Sequence, residues 1–402
     1  MKVFYFGSVC AQEVFNKTVV CSKVKPSASA QSFESALVKG FSCNTDVELT
    51  VVSAESIAMY PNGNRLVLKK RQDIIENNVT AHIVGAVNLP AIKQHNHSNG
   101  AARALKRWLR ENRDISDKCV IIYGIYPSVV KRLLYICHKN RCKIYAIITD
   151  VPSTMFTYTR SQSLLKKLFS GSYRQVAIDI QDKFDGYVYL TEAMKDEIDP
   201  DKPYTVVETL ADTEIFSAVS DLKKFEPSAV MYAGALYKKY GLDMILDSFA
   251  NVNCDCELWL FGSGDYEQEI LKRAEADSRI RYFGRVSRED VLKYEKKATL
   301  LLNVRNSEDE YTKFSFPSKM VEYMLSGTPV LTTQLCGIPD EYYDYCYVVK
   351  DRNPIALGQQ IEDILQDPRK EHIGAMAEDF ILKNKNCEVQ ANKIIRFIKE
   401  NL

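Results

Sequence analysis

Nowhere in the chain do about 18 apolar residues follow one another, the length a helix needs to cross a hydrocarbon core, so a membrane-spanning reading is set aside. Excess charge is missing too. Lys and Arg number 53 against 52 Asp and Glu, which leaves no whole-molecule field for nucleic acid and makes any basic site local. Histidine is scarce, with five residues, and His95-Asn96-His97 has no third ligand nearby, so it reads as a solvated loop. The 11 cysteines contain no Cys-X-X-Cys spacing; Cys254-Asp255-Cys256 is too short for a zinc knuckle or redox pair, and free thiols are expected. No metal centre is expected. The opening residues lack the charged, apolar and small-residue pattern of an export signal, so the expected location is the cytoplasm.

What is present is a core-forming pattern, with 46% hydrophobic and 26% charged residues. Met1 to Gly7 is an apolar run ending in glycine, a common opening of a doubly wound sheet. Strand-like runs follow at Val47 to Val52, Ala81 to Val87, Val120 to Tyr123, Ile144 to Ile148 and Gly186 to Leu190. Helix-like segments separate them at Ala30 to Phe41, Ala101 to Asn112 and Val129 to Lys139, an alternation that implies parallel strands with crossover helices. The pattern restarts at Ala229 to Gly234, continues through Leu258 to Gly264, Ile280 to Gly284, Ala298 to Asn303 and Tyr347 to Val349, and ends in helices. The expected division is a first domain over 1–204, a second over 205–384, and a terminal helix over 385–402.

The densest chemistry lies in Lys313-Phe314-Ser315-Phe316-Pro317-Ser318-Lys319, followed by Met320 to Leu331. Pro317 ends a loop, Lys319 and Glu322 share one helix face, and Gly327-Thr328-Pro329 stops the helix before Val330-Leu331. Free amides from Ser318 onward and the Lys319 ammonium suit an anion, while Glu322, one turn deeper, suits sugar hydroxyls. A nucleotide is the candidate ligand.

This run resembles the nucleotide-sugar half of family 4 glycosyltransferases, retaining enzymes of the kind found in bacterial polysaccharide biosynthesis. The resemblance implies the α/β GT-B fold, two doubly wound Rossmann-like domains facing across a cleft, with the terminal helix crossing back onto the first. It also implies that Lys319 contacts diphosphate and Glu322 the ribose. One departure is clear: the family's earlier glutamate, separated from the later one by seven residues, is Phe314 here.

Other candidates surround this one. Gly234 to Gly241 joins a strand to a helix, where amides and lysines can face an anion. The family places arginine after the first glycine and lysine before the last, positions held here by Ala235 and Tyr240, so Lys239 is the candidate cation; a solvated turn lysine is the other reading. Gly262 ends a strand and is the better site residue of Gly262-Ser263-Gly264, which lacks the full dinucleotide fingerprint. Gly7, with Ser8, would let backbone approach diphosphate. Asp150 ends a strand before Val151-Pro152, as a cleft carboxylate or as a turn initiator; relatives carry His-Asp there, and this chain has Thr149. Asp199-Pro200-Asp201 mimics a metal-binding Asp-X-Asp of another glycosyltransferase fold but sits in a Pro-broken link, read as a hinge. Arg160, Lys166, Lys167 and Arg174 interleave with Leu164, Leu165, Leu168 and Phe169, either as a membrane-surface helix or as one turned onto the core.

The expected function is transfer of a sugar, with retention and without metal, from a UDP- or GDP-sugar to a hydroxyl of a glycan or lipid-linked acceptor. No cofactor beyond the donor and no nucleic-acid partner is expected. Lys319, Lys239 and Asp150 are the catalytic candidates. Gly7, Gly234, Gly262, Ser318, Lys319 and Glu322 are the binding candidates. Peripheral attachment at the inner face of the membrane would bring a lipid-linked acceptor within reach. A non-catalytic nucleotide-sugar binder and an epimerase on the same fold are the alternatives.

Overall fold

The computed structural model describes residues 1–151, 174–214 and 222–402. The chain divides into two compact units, Met1–Leu210 with Cys387–Leu402, and Ala211–Asn386.

The first unit contains β1 (Lys2–Gly7), β2 (Glu48–Ser53), β3 (Val67–Leu68), β4 (Arg71–Ile74), β5 (Thr80–Ile83), β6 (Ala86–Val87), β7 (Lys118–Tyr123), β8 (Lys143–Ile148), β9 (Gly186–Tyr189) and β10 (Tyr204–Val206). Its main sheet runs β10-β9-β8-β7-β1-β2-β5-β4. Central strands such as β1 and β7 are apolar on both faces and buried throughout most of their length, as parallel strands covered on two sides require. Helices Ala28–Cys43, Ile92–Glu111 and Pro127–Lys139 supply that cover. Ser27 caps the first of these by accepting from the Ala30 amide at 3.2 Å, and Pro127 opens the third. Helix Cys387–Glu400 places Ala391, Ile394, Ile395 and Ile398 in the core of this unit.

Three local readings change. β4 is antiparallel to β5, because only Ile75 to Val79 joins them, with Asn77 and Asn78 at positive φ, and so short a link cannot make a crossover. His95 and His97 lie on the helix rather than in a loop. Helix Ile92–Glu111 starts earlier than expected, and His97 joins Ala101 and Leu105 on its buried stripe, where burial pushes the imidazole down to about 4. Asp199-Pro200-Asp201 joins the short helix Met194–Ile198 to edge strand β10, inside the first unit rather than between units.

The second unit contains β11 (Ser228–Ala235), β12 (Cys256–Ser263), β13 (Ile280–Gly284), β14 (Leu300–Asn303), β15 (Val330–Thr332) and β16 (Tyr347–Val348), in the order β13-β12-β11-β14-β15-β16 and parallel throughout. Strand order reverses beside β11, the point where doubly wound sheets open a crevice at their carboxyl edge. One face is packed by helices Leu242–Phe249 and Pro354–Gln366. The other is packed by Arg288–Lys297, Ser318–Leu325 and Lys370–Asn384.

Candidate functional site

Helix Ser318–Leu325 buries Met320, Val321, Tyr323, Met324 and Leu325 and leaves Ser318, Lys319 and Glu322 on its remaining face. Pro317 precedes it with no side chain capping the first turn, which leaves the leading amides unclaimed by a cap. Tyr323 pins the helix to the sheet: its hydroxyl donates to the Ala233 carbonyl at 3.0 Å and accepts from the Ala233 amide at 2.7 Å. Gly234 follows immediately, so the Lys319 helix is tied to the carboxyl end of β11.

Lys319 does not project alone. Its ammonium contacts Glu322 Oε1 at 2.6 Å and Glu295 Oε1 at 3.3 Å, while Arg288 lies 3.7 Å from Glu322 Oε2. Glu295 comes from helix Arg288–Lys297, where it shares the buried face with Leu292. That helix is capped by Ser287, whose Oγ accepts from the Asp290 amide at 3.1 Å, and it carries acidic residues in its first turn and basic ones in its last. Tyr294 locks it onto β12 and β13 by packing edge-on to Trp259 at 5.3 Å and against the stacked Phe261 and Phe283 rings. Burial would raise the Glu322 carboxyl, but Lys319 and then Arg288 outweigh it and hold the group below the usual carboxylate range. Burial opposes charge on Lys319 as well, yet Glu295 and Glu322 raise it, so the ammonium keeps its proton.

Gly234 and Gly262 sit opposite each other in the β11 and β12 ladder. Gly262 has φ +127°, and a Cβ there would lie 1.8 Å from the Gly234 carbonyl oxygen, so this close approach admits only glycine. Lys239 occupies an aromatic surround, its ammonium 5.1 Å from the Tyr240 ring centroid, 5.5 Å from Tyr311 and 6.0 Å from Tyr237. Arg305, just beyond β14, stacks on the same Tyr240 ring at 4.8 Å. Tyr240, which stands where the resembling family has lysine, therefore organises two cations instead of supplying one.

Gly7 and Asp150 lie in the first unit, at the carboxyl ends of β1 and β8. The space above Gly7 is filled by Glu34, whose Oε2 would be 1.9 Å from a Cβ at that position. Glu34 accepts from the Ser8 amide at 2.8 Å and from the Tyr5 hydroxyl at 2.7 Å, and also from the Ser8 hydroxyl. Burial raises its pKa despite these hydrogen bonds. The loop amide expected to meet diphosphate is thus engaged by a carboxyl of the same unit. Asp150 is exposed and accepts from Thr149 Oγ1 at 3.2 Å. Arg160, Leu164, Leu165, Lys166, Lys167, Leu168 and Phe169 lie outside the described residues.

The structure thus joins Lys319 with Glu322 and Gly234 with Gly262, and it adds Glu295, Arg288, Tyr323 and Arg305 to what sequence reasoning found. Glu295 carried no signal, being one glutamate of an amphipathic helix. Arg305 lies two residues past an apolar strand, and that position at a carboxyl edge was the signal that could have found it.

Two units built on parallel sheets of this kind define the GT-B fold, and solved structures of that fold span the whole chain. HepE of Anabaena in complex with UDP matches with a TM-score of 0.63 at 13% identity, covering 100% of both chains. Sucrose-phosphate synthase of Thermosynechococcus elongatus matches with 0.63 at 13%, covering 100% of this chain and 99% of its own. The lipopolysaccharide outer core galactosyltransferase WaaB, in its apo form, gives 0.61 at 12% with 100% of both covered. No curated protein sequence matches the chain. Residues 227–367, within the second unit, match the family described as glycosyl transferases group 1. The resemblance carried by Phe316-Pro317-Ser318-Lys319, Glu322 and Gly327-Thr328-Pro329 is borne out.

Proposed function

We propose that the protein transfers a sugar from a nucleoside diphosphate to a hydroxyl of a glycan or lipid-linked acceptor, with retained anomeric configuration and without a metal ion. The observation that carries this reading is the Lys319 and Glu322 pair on a helix pinned through Tyr323 to the carboxyl end of β11. A diphosphate laid over the first turn would meet the Ser318 amide, the Lys319 ammonium and the helix dipole together. Negative charge grows on the β-phosphate as the glycosidic bond breaks, and donors already aimed there stabilise it without reorganising. Glu322, charged and held by Lys319, would accept from the ribose hydroxyls. Lys239 and Arg305 extend positive charge along the same sheet edge. The acceptor proton would pass to the departing phosphate, so no separate base is required. Asp150 keeps the role of sugar-side carboxylate in this reading, and a backbone approach at Gly7 would have to displace Glu34 from the Ser8 amide.

Support also comes from a structural relative, HepE of Anabaena, which is solved in complex with UDP and with UDP-glucose. The test is to incubate the protein with UDP- and GDP-sugars, with and without a glycan and lipid extract, in the presence of EDTA. Free diphosphate released only with acceptor supports transfer, and NMR of the product reports its anomeric configuration. Release without acceptor points to an epimerase. Binding without release points to a non-catalytic protein, and activity lost to EDTA and restored by Mn²⁺ removes the metal-free mechanism.

A further inference from the structure

Glu295 is wholly buried, lies against Lys319 through Oε1, and has no hydrogen-bond partner for Oε2 among the described residues. An ionised carboxylate with a bare oxygen in the interior is far costlier than a neutral carboxyl in the same place. The groups around it come from three sides. Lys319 and Glu322 face it from the Lys319 helix, with the buried Tyr323 hydroxyl one turn in. Arg288 lies on its own helix, and Lys224 reaches its backbone indirectly through Thr328, whose hydroxyl donates to the Glu295 carbonyl at 2.7 Å.

We infer that Glu295 is a positioning residue for Lys319: a neutral, proton-bearing carboxyl that steadies the ammonium and leaves the Lys319, Glu322 and Arg288 group with one net positive charge for the diphosphate of a nucleotide. This rests on the reading of Lys319 as the diphosphate contact. With the proton lost, the four side chains carry no net charge and the attraction for an anion falls. Burial pushes Glu295 up to about 8, opposed by Lys319 and reinforced by Glu322, so the proton is held at neutral pH and lost as pH rises through that value. A bound polyanion beside the group favours the protonated form, so nucleotide binding above that pH takes up a proton. The phosphate charge of the ligand is constant across this range, since its last phosphate proton leaves near pH 6. The ring N–H of uracil or guanine begins to ionise at the upper end and contributes equally to wild type and variant.

The experiment titrates the full chain with UDP and with GDP by calorimetry at about pH 7 and about pH 9, in buffers of differing ionisation enthalpy, so that proton uptake is counted directly. Wild-type affinity is expected to fall by up to about tenfold at the higher pH, with a proton taken up on binding. Glu295→Gln preserves the shape and the neutral state, and is expected to lose the Glu295 part of that pH dependence, keeping only the small uptake that the nucleotide base itself contributes. Thermal melts show whether that variant is folded; if it is not, the wild-type proton count in excess of the base's own ionisation, titrated on the free nucleotide, decides alone. Equal wild-type affinity at both pH values with no uptake overturns this inference while leaving the nucleotide reading standing, as does a folded Glu295→Gln with wild-type pH dependence. Failure of either nucleotide to bind at any pH overturns both.

Discussion

Replacing Tyr323 by phenylalanine removes one oxygen and leaves two buried main-chain groups without a partner. β14 pairs with β11 only at Val230 and Met231, and at Ala233, two residues further along the same ladder side, the Tyr323 hydroxyl takes the place of the missing strand. Tyr323 is only 1% exposed, so water does not replace the lost oxygen. An unsatisfied buried donor or acceptor costs about 1 to 3 kcal/mol, and with some relaxation the pair should cost about 2 to 4 kcal/mol. For a unit of this size that corresponds to a melting shift of about 5 to 15 °C. The chain has two tryptophans, Trp108 in the first unit and Trp259 in the second, so a Trp108→Phe background lets Trp259 fluorescence report the second unit alone. In the same background, Tyr323→Phe should speed exchange of the Ala233 amide and weaken nucleotide binding, since the Lys319 helix loses its anchor. A loss below about 0.5 kcal/mol, the size of an ordinary surface substitution, would refute the claim that this hydroxyl completes the ladder.

Lys319→Ala should lower kcat by about 100-fold or more with a smaller rise in KM for the donor, because its interaction strengthens as the phosphate charge develops; steady-state kinetics showing only a KM effect would make it a ground-state anchor. Glu322→Ala should weaken UDP or GDP binding by about 1.5 to 3 kcal/mol in calorimetry, the range of a hydrogen bond to a charged group, and unchanged affinity would remove it from the ribose site. Gly262→Ala combines a left-handed φ with a Cβ only 1.8 Å from the Gly234 carbonyl oxygen, so it should destabilise the second unit by at least about 1 to 3 kcal/mol; a wild-type melt would show that this turn relaxes freely.

Much of the fold is written in local pattern. Apolar runs ending in glycine mark β1 and β11, and period-3.6 segments between them mark crossover helices, because these signals span only a few residues. β4 escaped this reading because Arg71-Gln72-Asp73-Ile74 has little apolar content, and its direction depends on the turn that follows. His97 looked like part of a loop because the helix start carries no strong cap signal, with Ala91 at the N-cap.

Within the site, the chain by itself placed Lys319 and Glu322 on one helical face, since three positions of spacing determine that geometry before any packing occurs. Only the tertiary structure decided what surrounds them. Glu295 is 24 positions from Lys319, Ala233 is 90 from Tyr323, and Glu34 reaches Ser8 across 26, and each pairing exists because a helix lies against a strand end or a neighbouring helix. Burial supplied the rest. A glutamate is an ordinary surface residue in a sequence, and it becomes an unusual acid only where the packing of two helices removes water from it and puts an ammonium in its place.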